Sequence, residues 1–161
     1  MPGPQSLSAA LIDQYSIRLC VQSGLASNGW TAERQVLVKH ATSMWPIGEE
    51  IKPPVVYVQI NDSTLAGIEL GSHGKQRDVS LHIFATNEPM KVQLAEEIVN
   101  LFRDDQVSIL NFVTGNETSP ESIGRYDVPE VGWRSVPMPA SATDVDKWRS
   151  VVRATVRRID A

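Results

Sequence analysis

The clearest hydrophobic pattern lies between Pro53 and Phe102. Val56, Val58 and Ile60 alternate with Tyr57 and Gln59, and Val79, Leu81, Ile83 and Ala85 alternate with Ser80, His82 and Phe84. An apolar residue at every second position marks a strand with one face buried. Pro53 and Pro54 precede the first run, where a missing amide donor costs no ladder bond. Gly71-Ser72-His73-Gly74-Lys75 has turn chemistry, which predicts a hairpin between Ile68–Leu70 and Val79–Phe84. The period then changes. From Glu88 to Arg103, residues Met90, Val92, Leu94, Ala95, Ile98, Val99, Leu101 and Phe102 fill an arc of roughly 200° when placed at about 100° per residue. Asn87 is positioned to cap this helix, and Pro89 suits its first turn. A helix on one sheet needs an apolar stripe of only about 100°. The surplus must bury against a second helix of the same chain or against a neighbouring subunit.

The flanking segments are less regular. Residues 1–5 read as a flexible N-terminus. A helix starts near Ser6, with Leu7, Leu11, Ile12, Tyr15 and Leu19 on one face and Gly24 or Gly29 as its stop. Arg34–Met44 fits a strand and also a helical stripe; its β-branched residues favour the strand. Val107–Val113 predicts another short strand. Gly115–Pro139 is rich in glycine and proline and predicts a long irregular loop, with a short strand around Trp133 as its one ordered piece. Tyr126 and Trp133 within it are aromatics suited to an interface. Trp148, Val152, Val156 and Ile159 would suit a helix, but the valines and threonine of this segment and the need to complete the sheet favour a closing strand. Together these elements predict a single α+β domain over residues 1–161, with one mixed or antiparallel sheet and helices packed on one face.

Composition narrows the chemistry. The 161 residues are 42% hydrophobic and 21% charged, with a net charge of −4. Those values suit one globular domain and give no whole-chain electrostatic argument for nucleic acid. The N-terminus lacks the basic and apolar regions of a signal peptide, and no apolar run reaches membrane-spanning length, so no membrane association is expected. Cys20, the single cysteine, sits among apolar residues and reads as a buried, inert thiol. His40, His73 and His82 lack metal-ligand spacing. Gly71–Lys75 lacks the spacing of a phosphate loop. The pairs Glu96-Glu97 and Asp104-Asp105 diverge on a helix surface and do not converge on one substrate. No catalytic residue, metal site or cofactor is expected, and the chain does not read as an enzyme. Charge is concentrated in one place: Lys147, Arg149, Arg153, Arg157 and Arg158 fall in a stretch without acids. On a strand, Arg149, Arg153 and Arg157 point the same way. Such a row either guards an exposed strand against aggregation or meets an acidic partner or DNA phosphates.

Pro53-Pro54-Val55-Val56-Tyr57-Val58, Glu69-Leu70-Gly71, the run from Arg77 to His82-Ile83-Phe84-Ala85 and the helix Leu94-Ala95-Glu96-Glu97-Ile98 resemble the tail terminator (tail completion) family of tailed bacteriophages. The N-terminal helix and the closing strand match the family's general plan. The resemblance implies a structural virion protein, made in the host cytoplasm. It would form a homo-hexameric ring at the tail–neck junction, end the tail tube and join it to the neck. The implied partners are further copies of the chain, the tail tube protein and a neck or connector protein, with DNA only as cargo passing through the channel. Candidate interface residues are Met90, Val92, Val99 and Phe102 on the over-wide helix, Tyr126 and Trp133, and the row Arg149, Arg153 and Arg157. Two alternatives stand beside this reading: another neck or head–tail connector protein, and a cytosolic α+β ligand-binding domain or enzyme whose site is not identifiable.

Overall fold

The structure is a computed structural model that describes residues 9–30, 36–41, 50–62, 76–104, 106–111, 121–137 and 147–159. The elements in chain order are α1 (Ala9–Ser27), β1 (Leu37–His40), β2 (Val55–Asp62), β3 (Gln76–Phe84), α2 (Glu88–Arg103), β4 (Ser108–Asn111), β5 (Glu121–Ser135) and β6 (Arg149–Ile159). Local chemistry sets the helix ends. Gly29 adopts φ 92°, a conformation that costs glycine little. The amides of Gly29 and Trp30 turn back to the carbonyls of Ala26 and Leu25. This closes α1 with a Schellman motif and carries Trp30 into the core. Gly24 lies inside the helix instead. Asn87 caps α2 as its sequence position predicts, its Oδ1 accepting from the Met90 amide at 2.8 Å.

The six strands form one mixed sheet in the order β1-β2-β3-β6-β5-β4. Only β1 and β2 run parallel. Both helices pack on one face, so the domain is α+β as expected. Helix α2 lies across β3, β6 and β5, while α1 touches β1 and β4, the two outermost strands. Five inter-strand spacings of about 4.8 Å would place those edges some 24 Å apart in a flat sheet. Yet one stretch of α1 meets both, Tyr15 against His40 of β1 and Ser16 and Cys20 against the backbone of β4, so the sheet curls around the helix. The principal core fills that concave side, with Ile17, Val21 and Leu25 of α1 meeting Leu94, Ile98 and Phe102 of α2 and the inward residues of the strands.

Three expectations need correction. Within the expected long loop of 115–139, residues 121–135 form the longest strand of the sheet. Two of the residues that suggested a loop, Gly124 and Pro129, sit where the strand pairing is interrupted. Val128 and Pro129 fall in the register shift between Asp127 and Glu130. A second shift, opposite Ile109 and Leu110, falls between Ser122 and Gly124. Proline is tolerated at bulges because no ladder donor is needed there. The second correction concerns α1. Ile12, Tyr15 and Leu19 are only half-buried, and the most buried line runs through Asp13, Ser16, Ile17, Val21 and Leu25. Third, the candidate interface residues Val99 and Phe102 are interior, because α1 covers the surplus apolar width of α2, the first of the two coverings the pattern left open. Leu101 packs so closely on Gly24 of α1 that an added Cβ there would lie 2.5 Å from it. Val99 and Phe102 are therefore core residues at 2% and 1% exposure, with no surface to offer a partner. The N-terminal residues 1–5 and the expected Ile68–Leu70 arm lie outside the described residues; the strand that pairs with β3 on that side is β2.

Candidate functional site

Two groups of charged residues stand out, one on each side of the sheet. The first is inside. Asp13 of α1 is 1% exposed. Its Oδ1 accepts from the Tyr126 hydroxyl at 2.6 Å and from Arg158 Nε at 2.8 Å. Its Oδ2 accepts from Arg77 Nε at 2.5 Å. Three strands, β3, β5 and β6, thus converge on one helix residue. Burial, and then the facing Asp13 carboxylate, push the Tyr126 hydroxyl far above its ordinary pKa. The same line of α1 continues with Ser16, whose Oγ accepts from the Leu110 amide at 2.9 Å, and Cys20, which bonds the backbone of Ser108. These side chains satisfy the outer edge of β4, which a sheet otherwise leaves open to pairing. Burial pushes the Cys20 thiol pKa up, as fits a structural thiol.

The second group lies on the opposite face. On β6, Arg153 and Arg157 are exposed, and Arg149 packs its guanidinium over the Phe84 ring at 4.6 Å. The row therefore shares one face, as the strand reading predicts. Pairing puts Arg134 of β5 beside Val151, and sets Arg153 between Gly132 of β5 and Ser80 of β3. An open trough of about 660 Å³ runs over these strands, with Asp78 and Glu130 at one end and Arg134 and Arg153 along it. Gly132 forms part of its floor, where an added Cβ would meet nothing within 4 Å. Towards β2 the same face is closed by a small second cluster of Ala41, Val55, Tyr57 and Phe84. Between the two regions His82 pairs its Nε2 with Gln59 Oε1 at 2.9 Å. Burial, then Arg149 and Arg153, lower its pKa to about 4. On the helix side, burial and then Arg18 lower that of His40 to about 4 as well.

No protein-family model matches the chain, and no curated protein matches its sequence. Its chemistry has to be read from its own residues. Among the described residues no cluster of histidine, cysteine and acidic side chains could hold a metal ion. No helix is long and apolar enough to cross a membrane. The Asp13 cluster lines neither the trough nor the smaller cavity of about 360 Å³ beside Cys20. It works as a clamp between helix and sheet.

The candidate interface residues separate accordingly. Arg149, Arg153 and Arg157 come together on the face without helices. Trp133 lies on the helix side, half-buried, its Nε1 donating to Glu96 Oε1 at 3.2 Å. Met90 and Val92 are partly exposed at the start of α2. Tyr126 is a correction: at 2% exposure it belongs to the Asp13 clamp, because its hydroxyl is the donor the buried carboxylate needs. Asp13, Arg77 and Arg158 were not legible as a group. The one available signal was Asp13 itself, the sole acid in α1.

Proposed function

We propose that the chain is a structural subunit of tail-terminator type. Copies of it form a ring that ends a phage tail tube and joins it to the neck, with DNA passing through the channel and no catalysis by the subunit. The observation that carries this reading is the uneven covering of the sheet. Both helices and the principal core occupy one face, while the central strands of the other face present Arg153, Arg157 and Arg134 to solvent around an open trough. Charged, shallow and broad surfaces suit protein contact better than the enclosure of a small substrate. The resemblance of Pro53–Phe112 to tail terminators supplies the kind of assembly. Its partners in this reading are further copies of itself, the tube protein and a neck or connector protein.

The test is imaging of assembled tails with this protein labelled, together with the native mass of the ring released from them. A closed ring at the neck end of the tube is expected. A single copy per particle, or its absence from the tail–neck junction, would overturn the reading. A defined turnover abolished by His82→Ala or Ser80→Ala would overturn the non-catalytic part.

A further inference from the structure

The molecule is electrically two-sided. On the face without helices, the cations Arg125, Arg134, Arg149, Arg153 and Arg157 outnumber Asp78, Asp127 and Glu130. Among the described residues, Arg134, Arg153 and Arg157 form no ion pair. The opposite outer surface is that of α2. Its exposed line runs through Gln93, Glu96, Asn100 and Asp104, and Glu88 and Glu97 flank it. Arg103 is the one exposed cation on the helix, since Lys91 is buried and paired with Glu88.

We infer that the basic sheet face of one copy docks the acidic outer face of α2 of the next. The occupant is a second copy of this chain, and charge complementarity selects it. The two surfaces lie on opposite sides of the same sheet, so the contact is heterologous: each copy offers one face and receives the other. Repetition of such a contact closes into a ring when its rotation divides a full turn, and otherwise runs on as a filament. The spacings agree. Glu96 and Asp104 are eight helical residues apart, about 12 Å along the axis. Arg153 and Arg157 are four strand residues apart, about 13 Å. The trough over Gly132 gives the convex helix a recess to enter. Contacts of this kind set orientation and choice of partner, and they weaken as salt screens them. The inference builds on the ring reading for closure, but the contact is tested without any tail.

The test is native mass spectrometry of the full chain at low ionic strength, with two charge reversals. One variant carries Arg134→Glu, Arg153→Glu and Arg157→Glu. The other carries Gln93→Lys, Glu96→Lys and Asp104→Lys, which leaves Glu88 and Glu97 in their present contacts. Wild type is expected to assemble, and each variant alone to remain monomeric. Mixed in equal amounts, the variants should assemble again with strictly alternating composition, because each then meets an opposite charge on both sides. That recovery also shows that both variants fold. Should either reversal fail to fold, Arg153→Gln with Arg157→Gln takes its place; weaker assembly with a flatter salt dependence is expected, and an unchanged salt dependence overturns the contact. A wild-type ring that survives both reversals overturns the contact and leaves the tail-terminator reading standing. A chain that stays monomeric at low ionic strength, where attraction is strongest, overturns it as well. So does duplex DNA binding that the arginine reversal abolishes while self-assembly is untouched, which would assign the basic face to DNA.

Discussion

Arg157 and Arg158 are neighbours in β6, and they lead opposite lives. Arg158 turns inward and meets Asp13 at 2.8 Å beside a carboxylate that is 1% exposed. Arg157 turns outward, and its one described contact is a 3.4 Å hydrogen bond to Gln76. The period-two geometry of a strand separates them completely. Around Asp13 the carboxylate and Arg77 are out of water and Arg158 is partly so, and the buried charges lose their hydration and depend on their partners. Around Arg153 and Arg157 water remains, so neither needs a partner for the fold to stand. One side of the sheet therefore holds charges that secure the fold, and the other holds charges that are available for recognition.

The sharpest way to break this comparison is to remove the central carboxylate. Asp13→Ala removes the buried carboxylate that Arg77, Arg158 and Tyr126 share, and a loss of about 3–5 kcal/mol is expected in urea unfolding. A loss below about 1 kcal/mol would mean that the clamp is not what holds α1 to the sheet. Tyr126→Phe keeps the ring and deletes one donor to a buried charge. It should cost about 1.5–3 kcal/mol by the same measurement.

Two glycines repeat the contrast without charge. An added Cβ at Gly24 would lie 2.5 and 2.8 Å from the Cδ atoms of Leu101, which is itself in the core. Gly24→Ala should therefore cost about 1–3 kcal/mol through overpacking, and Leu101→Val in the same chain should return part of that. Gly132→Ala places its methyl in open space in a strand, and stability should stay equal or rise by up to about 1 kcal/mol. Equal costs at the two sites would contradict the covered and uncovered assignment of the faces.

The histidines give a pH signature from both sides of the sheet. His40 and His82 are each held near a pKa of 4, chiefly by burial and then by nearby arginines. In the unfolded chain each returns to about 6.5. Between these values the unfolded chain binds protons that the folded one refuses. The stability they contribute is complete above about pH 6.5 and is lost as pH falls towards 4. Midpoints of urea unfolding measured across that window should decline with acid, and His82→Gln should flatten part of the slope. An identical slope in the variant would place His82 in contact with water. The smallest effect is expected at the surface. Arg153→Ala should change unfolding free energy by no more than about 0.5 kcal/mol, even where it impairs assembly.

Much of the architecture was legible because it rests on local signals. The alternation in β2 and β3, the Asn87 cap, the strand character of Leu37–His40 and of β6, and the shared side of Arg149, Arg153 and Arg157 all follow from period, propensity and capping chemistry. The limits appear where a local signal has two meanings. Pro129, Gly124 and Gly132 read as a loop, yet in β5 the first two lie at pairing irregularities and the third lies under a trough. The half-buried apolar residues Ile12, Tyr15 and Leu19 read as the inner face of α1, but the buried line passes through Asp13 and Ser16. Nothing local shows that an aspartate will be buried. That depends on whether donors from residues 77, 126 and 158 arrive at the same point.

By itself, the sequence determined the two helices and the strand character of β1, β2, β3, β4 and β6, but not of β5; it also determined where α2 begins and that a row of arginines shares one side of the last strand. These depend on residues within a turn or two of one another. Only the tertiary structure decided that Val99, Phe102 and Tyr126 are interior, that Arg158 meets a buried carboxylate while Arg157 stays exposed, and that the basic and acidic surfaces lie on opposite sides. Those outcomes depend on the curl of the sheet around α1 and on contacts between residues up to 145 positions apart in the chain. A helix can carry more apolar surface than one sheet covers. Whether a second helix or a second subunit covers the rest is settled by packing geometry, which no periodicity encodes.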